Sequence, residues 1–438
     1  MVWQGYYVPF RAFKCDFPRT EACPPEDRGE RTGNSRVGPR EGINGVAERR
    51  AGGTRRRKRL HRFGGNRKSV SAKGKYKEKV FEMTQDEKYM QRAILLARRG
   101  EVGAAPNPMV GAVIVKDGRI VGEGYHRKYG GPHAEVNAVR SVRVPHADAI
   151  CLGGLDDISR EVMQYFAQCT MYVTLEPCAH WGKTPPCCDM IVAHGFRRVV
   201  VGMQDPNAKV DGEGIRRMRE AGIEVVVGVL EKECLAINPC FHTYHSKLRP
   251  KVTLKWAQMS DGTMGCRMES GQRLRISTPF TEMLVHRLRS RSQAIMVGTN
   301  TAIQDNPTLT TRLWAGKSPL RITVDRRGRL DGTEKMFGDG NETIVYHNEI
   351  LSEILYDLHK RGILHLLVEG GSKLLQSFID ANLWDEARVE VCMHESPEIA
   401  PLSPEDKVLS PVFVNAKLSE EFSVDGNKLL IFFNSSHI

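Results

Sequence analysis

Residues 174–190 read TLEPCAHWGKTPPCCDM, and the rest of the chain is best read outward from them. "MYVTLE" (171–176) has the composition of a buried strand, and "CCDMIVAHG" has helical spacing closed by Gly195. Pro177–Cys178 therefore follows a strand end, and Cys187 opens a helix directly after Pro185–Pro186. A sulfur at the mouth of a sheet and a sulfur beside the unpaired N–H groups of a helix start both favour the thiolate form.

Upstream, "HAEVNAVRSV" (133–142) is a plausible helix beginning at His133, which places an imidazole and the Glu135 carboxylate near its N-terminus. "MVGAVIVKDGRIVGEGYH" reads as two strands joined at Asp117–Gly118, a strong hairpin signal. A helical period (Met90, Ala93, Ile94, Ala97) precedes it and ends at Gly100. Downstream come strand "RRVVVGM", a turn at Asp205–Pro206–Asn207, a helix ending in "REAG" and strand "IEVVVG". One last helix is expected from about Leu230 toward Tyr244. This alternation predicts a sheet with helices on its faces. "HSKLRP" (245–250) reads as a linker, after which a second α/β pattern starts: "KVTLKWAQ", "PFTEMLVHRLRSR", "AIMVG", "LRITVD", "EILYDLHKRG", "LHLLVEGG", "SKLLQSFIDANL", then two or three strands. The expected division is a basic extension over 1–82, one domain over 83–247 and another over 248–438.

His133, Cys178 and Cys187 make three soft or borderline ligands, the count of a catalytic zinc that keeps a fourth position for water. Zinc lowers the pKa of bound water from 15.7 toward ~7, and Glu135, as a non-ligand, would move the protons during hydrolysis of an amidine-like ring carbon. The general signature of zinc nucleobase deaminases is H-x-E followed by P-C-x-x-C. Here eight residues separate the two cysteines. Cys188 is the competing ligand; Cys187 is preferred because it follows the proline pair.

The chain has 438 residues and a formal charge of +12. Residues 1–82 hold 21 Lys+Arg against 9 Asp+Glu; from totals of 64 and 52, the remainder carries 43 of each sign. A neutral body argues against nucleic acid as partner, although a base deaminase anchored by the basic arm is a competing reading. The arm, with its run Arg55–Arg59, reads as a disordered tail or a mis-started extension, Met83 opening the domain pattern. No apolar run approaches ~18 residues, and no secretory signal is evident, so no membrane partner is expected. Eleven cysteines, odd in number and irregular in spacing, fit a reducing cytoplasm better than a disulfide scaffold.

These residues resemble the bifunctional deaminase–reductase family of riboflavin biosynthesis. "PNPMVGAVIVKDGRIVGEGYH", "PHAEVNA", "TLEPCAHWGKTPPC" and "GMQDPNAKVDGEGI" look like its deaminase domain, including the long cysteine spacing. The resemblance spans about residues 84–435 and implies a cytidine-deaminase-like fold. It implies that Asn107, His126, His180 and Lys183 line a pocket for 2,5-diamino-6-ribosylamino-4(3H)-pyrimidinone 5′-phosphate. "VTLKWAQMSDG", "VGTNTAIQDNPTLTTR" and "VEGGSKLLQSFI" look like the family's reductase domain, which implies a dihydrofolate-reductase-like fold and hydride transfer from NADPH. By that resemblance Lys255, Asp305 and Glu369 surround the ribose and nicotinamide. Thr301 and Gly370–Gly371 contact the dinucleotide, Arg289 and Arg312 hold substrate phosphate, and Leu309 borders the substrate. A homo-oligomer is the expected assembly. Many members have Ser-Leu-Asp-Gly where this chain has Met259–Ser260–Asp261–Gly262, and Ser-x-Trp-Ile-Thr where it has Arg273–Leu274–Arg275–Ile276–Ser277. The expectation is a lineage variation that leaves reduction intact; the competing reading makes the second domain a non-catalytic binding module.

Overall fold

Thr84 and Glu87 start the first element by capping each other: the Glu87 N–H donates to the Thr84 hydroxyl at 3.2 Å, and the Thr84 N–H to the Glu87 carboxylate at 2.7 Å. The computed structural model that begins here describes residues 83–144, 158–182, 185–207, 212–266, 276–393 and 407–437. The basic arm, Lys183 and Arg273–Arg275 lie outside the described residues. Everything described falls within one compact unit.

The first half runs α1 (Gln85–Ala97), β1 (Gly111–Lys116), β2 (Arg119–Tyr125), α2 (Ala134–Ser141), α3 (Arg160–Phe166), β3 (Cys169–Leu175), α4 (Cys187–Ala193), β4 (Arg198–Met203), α5 (Glu213–Glu220), β5 (Glu224–Val227), α6 (Glu231–Ile237) and α7 (Pro239–Lys247). Its sheet has the order β2-β1-β3-β4-β5, with the β1–β2 and β1–β3 pairs antiparallel and the rest parallel. The inner strands are buried on both faces, and period-2 alternation divides them. Met171, Val173, Val199 and Val201 pack with α2, α4 and α5, whereas Tyr172, Val200 and Met203 pack with α1 and α6. Helices therefore cover both faces of the sheet.

Where one last helix was expected, there are two. Pro239 lacks the N–H that a continuing helix needs and instead takes the first position of α7. Asn238, at the break, is bonded to a distant segment. Its amide accepts from the Met109 N–H at 2.7 Å and donates to the Met109 carbonyl at 2.8 Å. The expected linker is also revised. His245–Lys247 complete α7, and Arg249 is buried with its guanidinium forked onto Asp385 at 2.6 and 2.8 Å. The crossover between the halves is thus short and fixed by an ion pair.

The second half runs β6 (Lys251–Met259), β7 (Thr263–Cys266), α8 (Pro279–Arg291), β8 (Ala294–Gly298), α9 (Thr299–Asp305), β9 (Leu320–Val324), β10 (Thr343–Tyr346), α10 (Leu351–Lys360), β11 (His365–Glu369), α11 (Ser372–Asp380), β12 (Glu386–Cys392), β13 (Lys407–Leu409), β14 (Ala416–Val424) and β15 (Asn427–Asn434). Eight strands form one sheet in the order β10-β9-β8-β11-β6-β12-β15-β14, parallel from β10 to β12 and antiparallel thereafter. β7 and β13 make a separate ribbon. The short α9, β7 and β10 were not anticipated, and among the described residues four strands rather than two or three follow α11. Leu366 and Val368 face α10 and α11, while Ile295, Val297 and Leu367 face α8. Among the described residues no helix is long and apolar enough to cross a membrane.

Candidate active sites

Three segments converge at the carboxyl side of β3. His133 caps the N-terminus of α2, and Glu135 sits in its first turn. Asn137, further along the same helix, donates to the carbonyls of Tyr125 and Pro132 at 2.9 and 3.2 Å, which fixes the approach of the chain to His133. Cys178 follows β3, and Cys187 is the first residue of α4. The Cys187 N–H donates to the Cys178 sulfur at 3.4 Å, so a helix-start donor supports that sulfur as a thiolate.

His133 Nδ1 lies 3.6 Å from Cys178 Sγ and 3.3 Å from Cys187 Sγ, and the three ligand atoms lie within 4.8 Å of one another. A tetrahedral zinc with ordinary Zn–N and Zn–S bonds needs an N···S separation of about 3.6 Å, so the donor set fits that ion. Cys188 is buried but turned away, its thiol donating to Asp189 at 3.3 Å. Burial pushes that thiol up to about 12.

The protonation pattern of the cluster also asks for a cation. Cys178 is held well below its usual value by hydrogen bonding with Cys187 and His133, and His133 is raised by its bond to Cys178. Cys187 is pushed far up by its neighbour Cys178 and by burial. Burial likewise raises Glu135, whose Oε2 has no hydrogen-bond partner. By themselves these groups can sustain one thiolate; a dication would let both sulfurs ionise.

The cluster opens into a cavity of about 410 Å³. Asn107, His126 and His180 line it. His126 Nδ1 faces the Pro132 carbonyl at 3.1 Å, which assigns the proton to Nδ1 and makes Nε2 the acceptor of the Asn107 amide at 3.2 Å. Burial lowers the His126 pKa, so the ring is neutral there. Asn107 thus keeps its carbonyl oxygen for a ligand.

Sequence reasoning missed several lining residues. Glu176 sits inside "TLEPC" and resembles a second catalytic acid, yet its carboxylate accepts the backbone N–H groups of Asp205, Gly212, Gly214 and Ile215 at 3.0–3.3 Å. It ties the start of α5 to the end of β3. The approach is so close that a Cβ on Gly214 would stand 2.1 Å from the Pro177 carbonyl oxygen. Asp205, which the sequence marks only as part of a turn, lines the cavity with a carboxyl that burial raises to about 6. Tyr244, His245, Gly362 and Leu364 complete the wall. The last two lie far along the chain, and no local signal marks them.

In the second half, Lys255 and Glu369 are register partners on the parallel pair β6–β11. The Arg289 guanidinium forks onto Glu369 at 2.9 and 2.6 Å and also donates to the Thr310 carbonyl at 3.2 Å. Burial would raise the Glu369 carboxyl, but Arg289 outweighs it and holds it below its usual value. The expected phosphate role of Arg289 therefore competes with a buried carboxylate. Lys255 Nζ stands 4.0 Å from Glu390.

Gly370 and Gly371 both have positive φ (83° and 75°), and a Cβ on either would come within 3.2 Å of the Thr301 side chain. Backbone and threonine thus meet where β11 ends, the edge at which α/β sheets bind ligands. Asp305 is the last residue of α9. Leu309 is 1 % exposed and belongs to the core beneath α8, so only its backbone is available to a substrate. Arg312 is exposed, with Nη1 3.3 Å from the Thr308 hydroxyl. Met259 ends β6, nearly buried.

Residues 83–203 match the family model of the cytidine and deoxycytidylate deaminase zinc-binding region, and residues 250–392 match that of the RibD C-terminal domain. The riboflavin biosynthesis protein RibD of Aquifex aeolicus is 38% identical over 323 residues, covering 68% of this chain and 85% of its own. RibD of Escherichia coli K12 is 35% identical, covering 70% and 87%. A Thermotoga maritima crystal structure of a diaminohydroxyphosphoribosylaminopyrimidine deaminase/5-amino-6-(5-phosphoribosylamino)uracil reductase superimposes with TM-score 0.65 at 36% identity, covering 80% of this chain and 99% of that one.

Proposed function

Because the chain belongs to the RibD family of bifunctional riboflavin-biosynthesis enzymes, we propose that it removes the 2-amino group of 2,5-diamino-6-ribosylamino-4(3H)-pyrimidinone 5′-phosphate and then reduces the ribosyl group to ribityl with NADPH. The observation that carries the first step is the meeting of His133 Nδ1, Cys178 Sγ and Cys187 Sγ beside an unpaired buried Glu135 oxygen. We assign the deaminase to residues 83–247 and the reductase to 248–438.

Zinc bound by those three residues would supply a water activated near neutral pH. Glu135 takes a proton from the attacking water and delivers it to the ring nitrogen, then carries a second proton, from the newly added hydroxyl, to the amine that leaves as ammonia. Its buried setting, which raises its pKa, suits a group that must both accept and return a proton. Asn107 reads the pyrimidine edge through its carbonyl oxygen, with His126 fixing the amide. His180 and Lys183 complete the substrate contacts, Lys183 pairing with the 5′-phosphate.

In the reductase, Thr301, Asp305 and the Gly370–Gly371 turn hold the dinucleotide. Lys255 and Glu369 face the ribosyl group, Arg289 and Arg312 take phosphate, and Leu309 contributes its backbone. The β6–β11 register and the Thr301–glycine contact support this grouping. The reading extends to a cytoplasmic protein and to a homo-oligomer; the exposed Val408, Leu409, Val412 and Val414 on and after β13 support the second.

The test supplies the diaminopyrimidinone nucleotide to the full chain with and without NADPH. Ammonia release in both cases, with NADPH consumed in step with deaminated nucleotide, is the expected result. Absence of ammonia from zinc-replete protein would overturn the first step. Ammonia without NADPH consumption would overturn the second.

A further inference from the structure

The cavity beside Glu135 is not closed by the deaminase segments alone. Gly362 and Leu364, from the turn between α10 and β11 of the second half, form part of its wall. Two contacts seat that turn. The Tyr244 hydroxyl donates to the His359 carbonyl at 2.9 Å, and the two rings lie 4.2 Å apart. The backbone of Leu364 is held from the other side, its carbonyl accepting from the Lys251 N–H at 2.9 Å and its N–H donating to Gln293 at 2.5 Å. The turn therefore reaches the cavity with its backbone tied down and the Leu364 side chain half-buried.

A cavity of about 410 Å³ exceeds the need of a single ring and falls in the range that encloses a whole small ligand. The reacting carbon must stand at the His133–Cys178–Cys187 end, beside Glu135. Phe241, Tyr244, His245, Gly362 and Leu364 border the same cavity, together with polar groups that include His180 and Asp205. Burial lowers the His245 pKa, so these five residues contribute rings, a leucine and backbone without a charge to the lining. Such a surface packs against the non-reacting part of a ligand and selects by shape.

We infer that the Gly362–Leu364 turn of the reductase half is a specificity wall of the deaminase pocket, packing against the glycosyl portion of the nucleotide whose ring is presented to Glu135. The inference rests on the deaminase reading above. It makes the second half a part of the first active site, besides housing its own.

Leu364→Ala in the full-length, zinc-replete protein tests it. Removing a half-buried apolar contact made equally in ground and transition states raises KM and leaves kcat alone. The expected result is a KM for nucleotide deamination raised about three- to tenfold, with kcat, zinc content and the reduction rate of already deaminated nucleotide unchanged. Leu364→Met, which conserves volume, restores KM to within about twofold. Tyr244→Phe, which removes only the hydroxyl holding the turn, gives a smaller KM rise in the same direction. An unchanged KM in Leu364→Ala overturns the inference, as does an equal fall in deamination and reduction, which marks a purely structural role. If Leu364→Ala does not fold, Tyr244→Phe decides instead, and an unchanged KM in that variant overturns the inference. A wild-type protein that releases no ammonia fails the deaminase reading instead, so the two failures are distinguishable.

Discussion

The two candidate active sites differ in how their charged groups are partnered. Around His133 the polar atoms point at a shared centre: two sulfurs and one ring nitrogen converge, and a buried Glu135 oxygen has no partner. At the end of β11 the charges have already found one another, Arg289 gripping Glu369 through two hydrogen bonds. The first arrangement suits a cation, which would let both sulfurs ionise. The second is satisfied without a ligand, so the phosphate proposed to bind there would have to compete with a carboxylate. A metal-ligand cluster is thus legible from its unmet demand, whereas a site built on backbone turns and ion pairs, as the proposed dinucleotide site is, conceals its purpose.

The two sites should part most sharply at the metal ligands. Cys178→Ala or Cys187→Ala should abolish zinc binding and reduce deamination roughly a thousandfold or more, leaving NADPH-dependent reduction intact; metal analysis beside an ammonia assay reads both. Cys188→Ala should keep the metal, and loss of zinc in that variant alone would reassign the ligand. Next in size, Glu135→Gln should retain zinc and lose about 10²–10⁴-fold in turnover. At the second site, Glu369→Ala leaves Arg289 buried without its counter-ion, at a cost of about 3 kcal/mol. A lowered Tm with unchanged zinc content is the expected outcome. An unaltered Tm would show that the pair is not holding the domain.

The smallest effect concerns Asp205, whose carboxyl is raised by burial to about 6. A raised carboxyl is favoured protonated in the folded state, so its penalty is absent below the unfolded value and fully present once the pH passes 6. Asp205→Asn in metal-stripped protein should therefore stabilise by about 2 kcal/mol above pH 6, with the gain shrinking as the pH falls toward 4. Melting curves across that range measure it. A gain that is flat with pH would show that the carboxyl is not the cause.

Much of the first site was readable because its chemistry is carried by neighbours in sequence. His133 and Glu135 share one helix start, and Cys178 and Cys187 bracket one strand-to-helix connection. The hairpin at Asp117–Gly118 and the helix spacings were legible for the same reason. What failed were places where a distant group overrides local pattern. The apolar period through Leu230–Tyr244 continues past Pro239, but the missing N–H splits the helix, and Asn238 faces Met109. Residues 245–250 have linker-like polarity, yet Arg249 is drawn inward by Asp385. α9 and β7 are too short for a period to show.

From the sequence alone came the donor types, their order and the fold class, since residue chemistry, capping and 2.0 or 3.6 periodicity act over a few neighbours. Tertiary structure decided which of two adjacent cysteines turns toward His133, because successive residues of a helix point about 100° apart. It also decided that Glu176 braces α5 instead of reacting, and that Leu364, far along the chain, walls the first pocket. Those outcomes depend on which distant segments meet in the folded chain, and that meeting is written in no single stretch of the sequence.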